Sequence, residues 1–248
     1  MRISIITGGG SGIGAAVARR LAGPAQSLML HGQGVEAAGL ARLNSVAEEC
    51  RSKGAKVEVS TGDLAKAGAG TALVAATRAA FDPIDAIVHA AGFADRREFL
   101  SLPREALERA FAVMAAAFHE IAAAALSDLT RSAQGRVVAV SSFGPHRFVP
   151  GATYPASAAA KAALEVLVKS LAIELAASGA TANAVMPGYT RKDPGLFGAL
   201  IPRPGRASQR PIRCSGWPRP TRSRPSSPSC CRRKHATSLA RRCRSMAA

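Results

Sequence analysis

Acidic residues are missing from one part of this chain of 248 residues. Residues 201–248 contain no Asp or Glu but twelve Arg and one Lys, so they carry +13 of the formal net charge of +17. Residues 1–200 have 20 basic and 16 acidic side chains, an ordinary balance for a soluble domain. The strongly basic character therefore belongs to the C-terminal stretch, and function has to be inferred from residues 1–200.

Cysteine is also scarce in residues 1–200, where Cys50 is the only one, so no disulfide framework is expected there. No long apolar run or cleavable leader is recognised ahead of the first candidate strand, which favours a cytoplasmic location without a membrane anchor. A stretch of 200 residues can bury one good core. We therefore expect one domain over residues 1–200 and a separate basic Pro/Arg/Ser-rich tail over residues 201–248.

Short apolar runs alternate with helical patterns along residues 1–200. The segments between the runs have apolar residues at spacings of three and four, as amphipathic helices do. This order predicts an α/β fold, a doubly wound parallel sheet with helices on both faces. Strands are expected at residues 3–7, 27–30, 57–59, 84–89, 136–141 and 181–186, and the clearest helices at 104–129 and 155–176.

A glycine-rich loop, TGGGSGIG, follows the first candidate strand and precedes a helical pattern. Glycine permits a tight turn and lets a phosphate approach the backbone, and the helix N-terminus offers unpaired N–H groups and a partial positive charge. Strand, loop and helix in this order predict a pyrophosphate site rather than a bland turn. The candidate binding residues are Thr7, Gly8, Ser11, Gly12, Ile13 and Gly14.

This loop is the first of a series of motifs that resembles the short-chain dehydrogenase/reductase family, whose first turn reads TGxxxGxG. The others follow in family order: GDL at 62–64, HAAG at 89–92, GRVVAVSS ending at Ser142, YPASAAAK at 154–161 and MPGYT at 186–190. The resemblance implies a Rossmann-type three-layer αβα fold. It also implies an NAD(P)(H)-dependent oxidoreductase that transfers a hydride between nicotinamide and a carbonyl or alcohol, as a 3-oxoacyl reductase or a similar enzyme does.

The resemblance further implies which residues hold the cofactor. Asp63 would contact adenine with Leu64 beside it, although Asp63 could instead be an ordinary turn residue after a strand. The HAAG segment would line the cofactor, and the MPGYT segment would lie against the nicotinamide. The implied set is Asp63, Leu64, Ala90, Ala91, Gly92, Tyr154, Lys161, Pro187, Gly188 and Thr190.

The choice between NAD and NADP depends on the end of the second strand, where His31, Gly32, Gln33 and Gly34 follow one another. A carboxylate there would bind the ribose hydroxyls of NAD, whereas Arg would favour NADP. With no carboxylate at these positions, the sequence leans to NADP, although it shows no clear basic clamp.

Three residues are the candidates for catalysis. Ser142 follows the GRVVAVS strand and would polarise the substrate carbonyl, unless it is a simple strand-end or turn serine. Lys161 begins KAALEVLVKSLAIELA, which matches the helix after the family's catalytic Lys, unless it is a solvated helix residue. In the family a Tyr donates the proton, with its pKa lowered from about 10 by the Lys ammonium.

The position of that Tyr is ambiguous. Family spacing puts the proton donor four residues before Lys161, at Ser157, yet a serine hydroxyl has too high a pKa to replace a phenol easily. The nearest phenol is Tyr154, and Pro155 after it favours the first helical position and biases Tyr154 to an extended conformation outside the helix. Its ring then need not follow helical spacing. We therefore assign Tyr154 as the acid/base. One alternative is that Ser157 has this role, and the other is that Tyr154 only packs at the cleft.

Met114 is a second departure, because the family usually has Asn there to support a proton-relay water, which Met cannot hold. A catalytically weak or inactive cofactor-binding pseudoenzyme is therefore the alternative function. No metal site is expected, since the five His residues are scattered and the tail cysteines lack zinc-like spacing.

Residues 201–248 admit two interpretations. Segments such as PRPTRSRPSS are typical of disordered chains that bind nucleic acid or an acidic membrane through phosphate contacts. Alternatively the reading frame is shifted, because GC-rich codons let residues 213–233 be reread as LLGMAAPDEIAAVVALLLSPE, which resembles a helix that closes the family fold. We favour the frameshift. We therefore expect a small-molecule substrate, no nucleic-acid or membrane partner, and a homo-oligomer only if this tail permits it.

Overall fold

The computed structural model describes residues 1–148 and 152–188, and the α/β fold predicted from the sequence is confirmed within them. All six predicted strands are present, with ends that shift by at most two residues. They are β1 (Arg2–Thr7), β2 (Gln26–Gly32), β3 (Lys56–Thr61), β4 (Ala86–His89), β5 (Arg136–Val140) and β6 (Thr181–Val185). The boundary expected near residue 200 and the tail at 201–248 lie outside the described residues.

The strands form one sheet in the order β3-β2-β1-β4-β5-β6, and every neighbouring pair is parallel. The order reverses between β2 and β4, which flank β1. Thr7 at the end of β1 pairs with His31 on one side and His89 on the other, so the carboxyl ends of the three central strands are level. Such a switch point leaves a crevice in which a ligand can bind.

Within residues 1–148 and 152–188, six α-helices connect the strands. Their bounds are α1 (Gly12–Leu21), α2 (Ala37–Ser52), α3 (Ala69–Phe81), α4 (Arg104–Phe111), α5 (Ala117–Arg131) and α6 (Pro155–Leu175). The helix predicted at 104–129 is therefore two helices, joined by a π-helical turn at Ala112–Ala116. Short 3-10 helices occupy Phe99–Ser101 and Ala176–Ser178.

The helices cover both faces of the sheet because the strand residues alternate between them. Ile5 lies in a core cluster with Phe118 and Ile121 of α5 and Leu164 of α6. Ile6, its neighbour in β1, lies in a second cluster with residues of α1 and α2 such as Ala18, Leu43 and Val46. The three-layer αβα arrangement thus follows from the near-continuous apolar strands.

The stretch Arg104–Arg131 is long and apolar enough to cross a membrane by length and composition, with a hydropathy of 1.6. Core helices pass the same test, and Phe118, Ile121 and Leu129 of this stretch are fully buried against the sheet. The apolar side chains of this stretch are therefore explained by its packing in the core.

Candidate functional site

The glycine loop after β1 is tight enough to require glycine. Gly8 and Gly12 have φ of 67° and 53°, in the left-handed region that favours glycine. A Cβ on Gly14 would stand 2.2 Å from the carbonyl oxygen of Gly8, so α1 begins directly against the loop. Ser11 is the N-cap residue of α1, and within the described residues its side chain makes no capping hydrogen bond. The helix N-terminus is thus presented to the crevice, as an anion site requires.

Thr7 connects β1 to the segment after β4. Its buried hydroxyl accepts the backbone N–H groups of Ala90 at 3.1 Å and Ala91 at 3.0 Å, and lies 3.1 Å from Nδ1 of His89. Two accepted bonds use both lone pairs of the hydroxyl, which leaves its proton for the imidazole. Burial, helped by the nearby Lys161 ammonium, lowers the pKa of His89 to about 3, so this histidine is a neutral structural residue.

A cleft of about 420 Å³ lies over the carboxyl ends of the strands. Six predicted cofactor residues line it: Gly8, Ser11, Asp63, Leu64, Ala91 and Gly92. Gly12, Ile13 and Gly14 form the first turn of α1 beside it, and Thr7 and Ala90 lie beneath it. The sequence did not single out several other lining residues, among them Glu36, Arg42, Phe93, Arg109 and Val113.

The end of the cleft beside β2 contains a basic residue that the sequence prediction did not consider. No basic clamp was found in the residues that follow β2, yet Arg42 of α2 lines the cleft there, together with Glu36. Leu43 packs under the loop, with its Cβ 3.2 Å from where a Cβ on Gly10 would stand, so α2 is held against the glycine loop. Nη2 of Arg42 lies 3.8 Å from where a Cβ on Gly39 would stand, and Gly39 also lines the cleft, so the guanidinium reaches this end of the cleft from α2. Burial lowers the pKa of His31, also in this region, to about 4.

Asp63 combines a turn role with a place in the cleft. Its Oδ1 accepts the backbone N–H of Ala65 at 3.0 Å, and its Oδ2 accepts from Nη1 of Arg109 on α4 at 3.0 Å. The Ala65 bond first, and then Arg109, hold the pKa of Asp63 below its usual range. The two interpretations of Asp63 are therefore compatible.

Lys161 is buried, which rules out the solvated helix residue that the sequence left open. It is 7 % exposed, and its Nζ donates to the carbonyl oxygen of Val140 at the end of β5. A Cβ on Gly92 would stand 3.1 Å from this Nζ, so the ammonium lies directly beside the cleft. Burial lowers the pKa of Lys161 from 10.5 to about 8.

Gly144 lies between Ser142, which follows β5, and Ala158 in the first turn of α6. Oγ of Ser142 accepts the backbone N–H of Gly144 at 3.3 Å. A Cβ on Gly144 would stand 3.3 Å from this Oγ and 3.5 Å from the Cβ of Ala158. The strand end that carries Ser142 is thus packed against the first turn of α6.

Tyr154 lies just outside α6, with Pro155 as the first helical residue, as expected, but the expected extended conformation is wrong. Tyr154 has φ 48° and ψ 53°, a left-handed conformation that is uncommon for a residue other than glycine. Its carbonyl accepts the N–H of Ala158 at 2.8 Å and so closes the first turn of the helix. Ser11, the N-cap of α1, accepts the equivalent bond from Ala15 in an extended conformation, so this hydrogen bond does not itself require the left-handed backbone of Tyr154. The side chain is half-buried.

Ser157 faces the same side of α6 as Lys161, one turn earlier, and is buried. Its Oγ accepts the backbone N–H of Asp95 at 2.8 Å, which ties the segment after β4 to the helix. Ser157, which has the family spacing of the proton donor from Lys161, therefore uses its hydroxyl to accept a backbone hydrogen bond.

Met114 is fully buried in the π-helical turn. A Cβ on Gly92 would stand 3.1 Å from Nζ of Lys161 and 3.5 Å from Cγ of Met114, so lysine and methionine meet at this glycine. The apolar side chain that is expected to replace the family's Asn therefore lies close to Lys161. Pro187 and Gly188 follow β6 at the same edge of the sheet, and Thr190 lies outside the described residues.

Comparison with known proteins gives consistent matches. A family model described as enoyl-(acyl carrier protein) reductase matches residues 8–195. L-rhamnose 1-dehydrogenase (NAD(P)(+)) of Azotobacter vinelandii is 34% identical over 190 residues, which cover 76% of this chain and 73% of the relative. D-beta-hydroxybutyrate dehydrogenase of Rhizobium meliloti is 30% identical over 190 residues, 76% of this chain and 71% of the relative.

Among solved structures, a 3-oxoacyl (acyl-carrier-protein) reductase from Agrobacterium tumefaciens with NADP bound superimposes with a TM-score of 0.70 at 30% identity. The match covers 77% of this chain and 71% of that one. A short-chain dehydrogenase from Sphingobium yanoikuyae in complex with NADPH gives a TM-score of 0.67 at 29% identity, over 77% and 72% of the two chains.

Proposed function

The chain belongs to the short-chain dehydrogenase/reductase family of NAD(P)-dependent oxidoreductases, and from this premise we propose that Ser142, Tyr154 and Lys161 carry its proton chemistry. The observation that supports this most is the placement of Lys161. Its ammonium is buried at the end of β5 and borders Gly92, which lines the cleft. An ammonium that is buried in the wall of a cleft interacts strongly with charges in that cleft, because little water screens it.

The residues present fit a nicotinamide dinucleotide. The loop from Gly8 to Gly14 leaves no room for a side chain at Gly14, and α1 opens on the crevice. We assign the pyrophosphate to this loop, adenine to Asp63 and Leu64, and the nicotinamide half to Ala91, Gly92 and the segment after β6, including Pro187, Gly188 and Thr190. When bound, the nicotinamide supplies or accepts the hydride.

We propose NADP as the preferred cofactor. The guanidinium of Arg42 at the β2 end of the cleft suits the extra phosphate, because a planar guanidinium can bind phosphate oxygens in pairs. Glu36 lines the same cleft and is the group that would oppose this preference.

In the proposed reduction, the Ser142 hydroxyl donates a hydrogen bond to the substrate carbonyl. Tyr154 gives its phenolic proton to that oxygen as the hydride arrives at carbon, and Lys161 stabilises the phenolate. In an ideal helix, seven residues span about 10.5 Å along the axis. Tyr154 precedes the helix in a left-handed conformation, which changes the direction of the chain there, and its ring has to turn back toward Ser142 and Lys161.

The proposed substrate is a small carbonyl compound or the corresponding alcohol, with 3-oxoacyl groups as one class to test. We also propose a cytoplasmic location, because the cytoplasm contains diffusible nicotinamide cofactors. The second candidate function is cofactor binding without turnover. It is favoured by Met114 beside Lys161 and by the backbone contact of Ser157.

Turnover of NADPH and NADH with a panel of aldehydes, ketones and 3-oxoacyl thioesters tests the proposal. Tyr154→Phe and Lys161→Ala should each lower kcat by at least the roughly 10²-fold typical of a general acid/base. Lys169→Ala, on the exposed side of α6, is the matched control and should leave kcat unchanged. Cofactor binding without turnover on any substrate would favour the second function, and full activity in Tyr154→Phe would exclude its proposed role.

A further inference from the structure

Glu165 is a buried carboxylate with no part in the proposed reaction. It lies on α6 one turn beyond Lys161 and is 8 % exposed. Ser141 donates its Oγ–H to Oε1 of Glu165 at 2.5 Å, and Nε2 of His146 lies 2.8 Å from Oε2. Both oxygens of the carboxylate are therefore engaged, as a buried charge requires.

The two partners stand at opposite ends of one turn. Ser141 directly follows β5, and its backbone N–H still donates to Val185 of β6 at 2.8 Å. The chain then turns, and the backbone N–H of His146 donates to the carbonyl of Phe143 at 3.0 Å. Ser142, the proposed carbonyl-polarising residue, lies between the two contacts. The carboxylate thus spans the turn that carries Ser142.

The same helix holds the end of β5 at a second point. Nζ of Lys161 donates to the carbonyl of Val140, one residue before Ser141. Two side chains of α6, one turn apart, therefore hold consecutive residues of the strand end. This fixes the separation between the helix that bears Lys161 and the backbone that bears Ser142.

We propose that Glu165 is a positioning residue that holds the turn of Ser142 through Ser141 and His146. The proposal rests on the proposed function of Ser142. A misplacement of a reacting group by about 1 Å can lower a rate by roughly 10²-fold, so a fixed turn matters for the hydroxyl. Charge-assisted hydrogen bonds are shorter and stronger than neutral ones, which suits a carboxylate to this task.

The test is a double-mutant cycle between positions 165 and 142. Glu165→Leu removes both contacts and should lower kcat by about tenfold. The Kd for NADPH, measured by nicotinamide fluorescence, should stay unchanged, because the glycine loop follows β1 and the turn follows β5, with β4 between these two strands. In a Ser142→Ala background the same substitution should cause almost no further loss. Glu165→Gln, which keeps one acceptor oxygen, should recover part of the rate. Glu174→Leu, exposed on the same helix, is the control and should not change kcat.

The positioning role would be overturned if the fold-loss in kcat of the double variant equalled the product of the two single losses, or if Glu165→Leu left kcat unchanged. Either result would leave the proposed function intact. Full activity in Ser142→Ala would instead remove the proposed role of Ser142 and this inference with it. If Glu165→Leu does not fold, His146→Ala replaces it, since the His146 side chain is 52% exposed and tolerates truncation. That variant must show the same coupling to Ser142→Ala, and independent effects would overturn the proposal.

Discussion

Nζ of Lys161 lies 2.5 Å from the carbonyl oxygen of Val140, so the ammonium on α6 is fixed at the end of β5. The carbonyl of Val140 gives the buried ammonium a hydrogen-bond acceptor in place of water. It explains how the lysine can be held beside the cleft while its pKa falls to about 8.

The first prediction follows from that pKa. Between pH 8 and 10.5 the unfolded chain binds more protons at Lys161 than the native chain does, so stability rises with pH across this window. Below pH 8 the native state holds the charge at a cost of about 3 kcal/mol. Lys161→Met should therefore be more stable than the parent at pH 7, by an amount that shrinks toward pH 10.5. Urea unfolding at pH 7 and pH 10 measures this, with Lys169→Met as the control; an equal difference at both pH values would contradict it.

The second prediction concerns the glycine loop. Gly12 and Gly179 both have positive φ, at 53° and 77°, and open space where a Cβ would stand. An Asp at either position should cost about 1–2 kcal/mol of stability through its left-handed conformation. In Gly12→Asp the carboxylate should also repel the pyrophosphate at the start of α1 and lower cofactor affinity at least tenfold, whereas Gly179→Asp should bind normally. Fluorescence titration with NADPH checks both, and equal affinities would remove the phosphate site from this loop.

The sequence predicted the elements that depend on local patterns. Apolar runs gave all six strands, and the glycine spacing marked the loop where Gly14 meets Gly8. Contacts between segments far apart in the sequence were missed, such as Arg109 with Asp63 and Ser157 with Asp95, which are 46 and 62 residues apart. Such pairs depend on how the helices pack and not on local preference. The left-handed Tyr154 shows the same limit, because the local preference of a residue before proline did not determine its conformation.

The third prediction concerns cofactor choice at Arg42. If its guanidinium binds the extra phosphate of NADP, Arg42→Ala removes a hydrogen bond to a charged group, worth about 1.5–3 kcal/mol. The Kd for NADPH should then rise roughly ten- to hundredfold. The Kd for NADH should stay the same, because NADH lacks that phosphate. Arg20→Ala, exposed on α1, is the charge-matched control. An equal loss of affinity for NADPH and NADH would instead mean that Arg42 attracts both cofactors electrostatically and does not bind the extra phosphate of NADP.

The last prediction separates the two candidates for the acid/base. Ser157 accepts the N–H of Asp95, so Ser157→Ala leaves a buried backbone donor unsatisfied and should cost about 1–3 kcal/mol of stability. It should leave kcat per folded molecule near the parent value, because the phenol of Tyr154 remains. Thermal unfolding and turnover are measured on the same preparation, with Ser170→Ala on the exposed side of α6 as the control. If Ser157→Ala instead kept its stability and lost about 10²-fold in kcat while Tyr154→Phe stayed active, the proton donor would be Ser157, at the family spacing from Lys161.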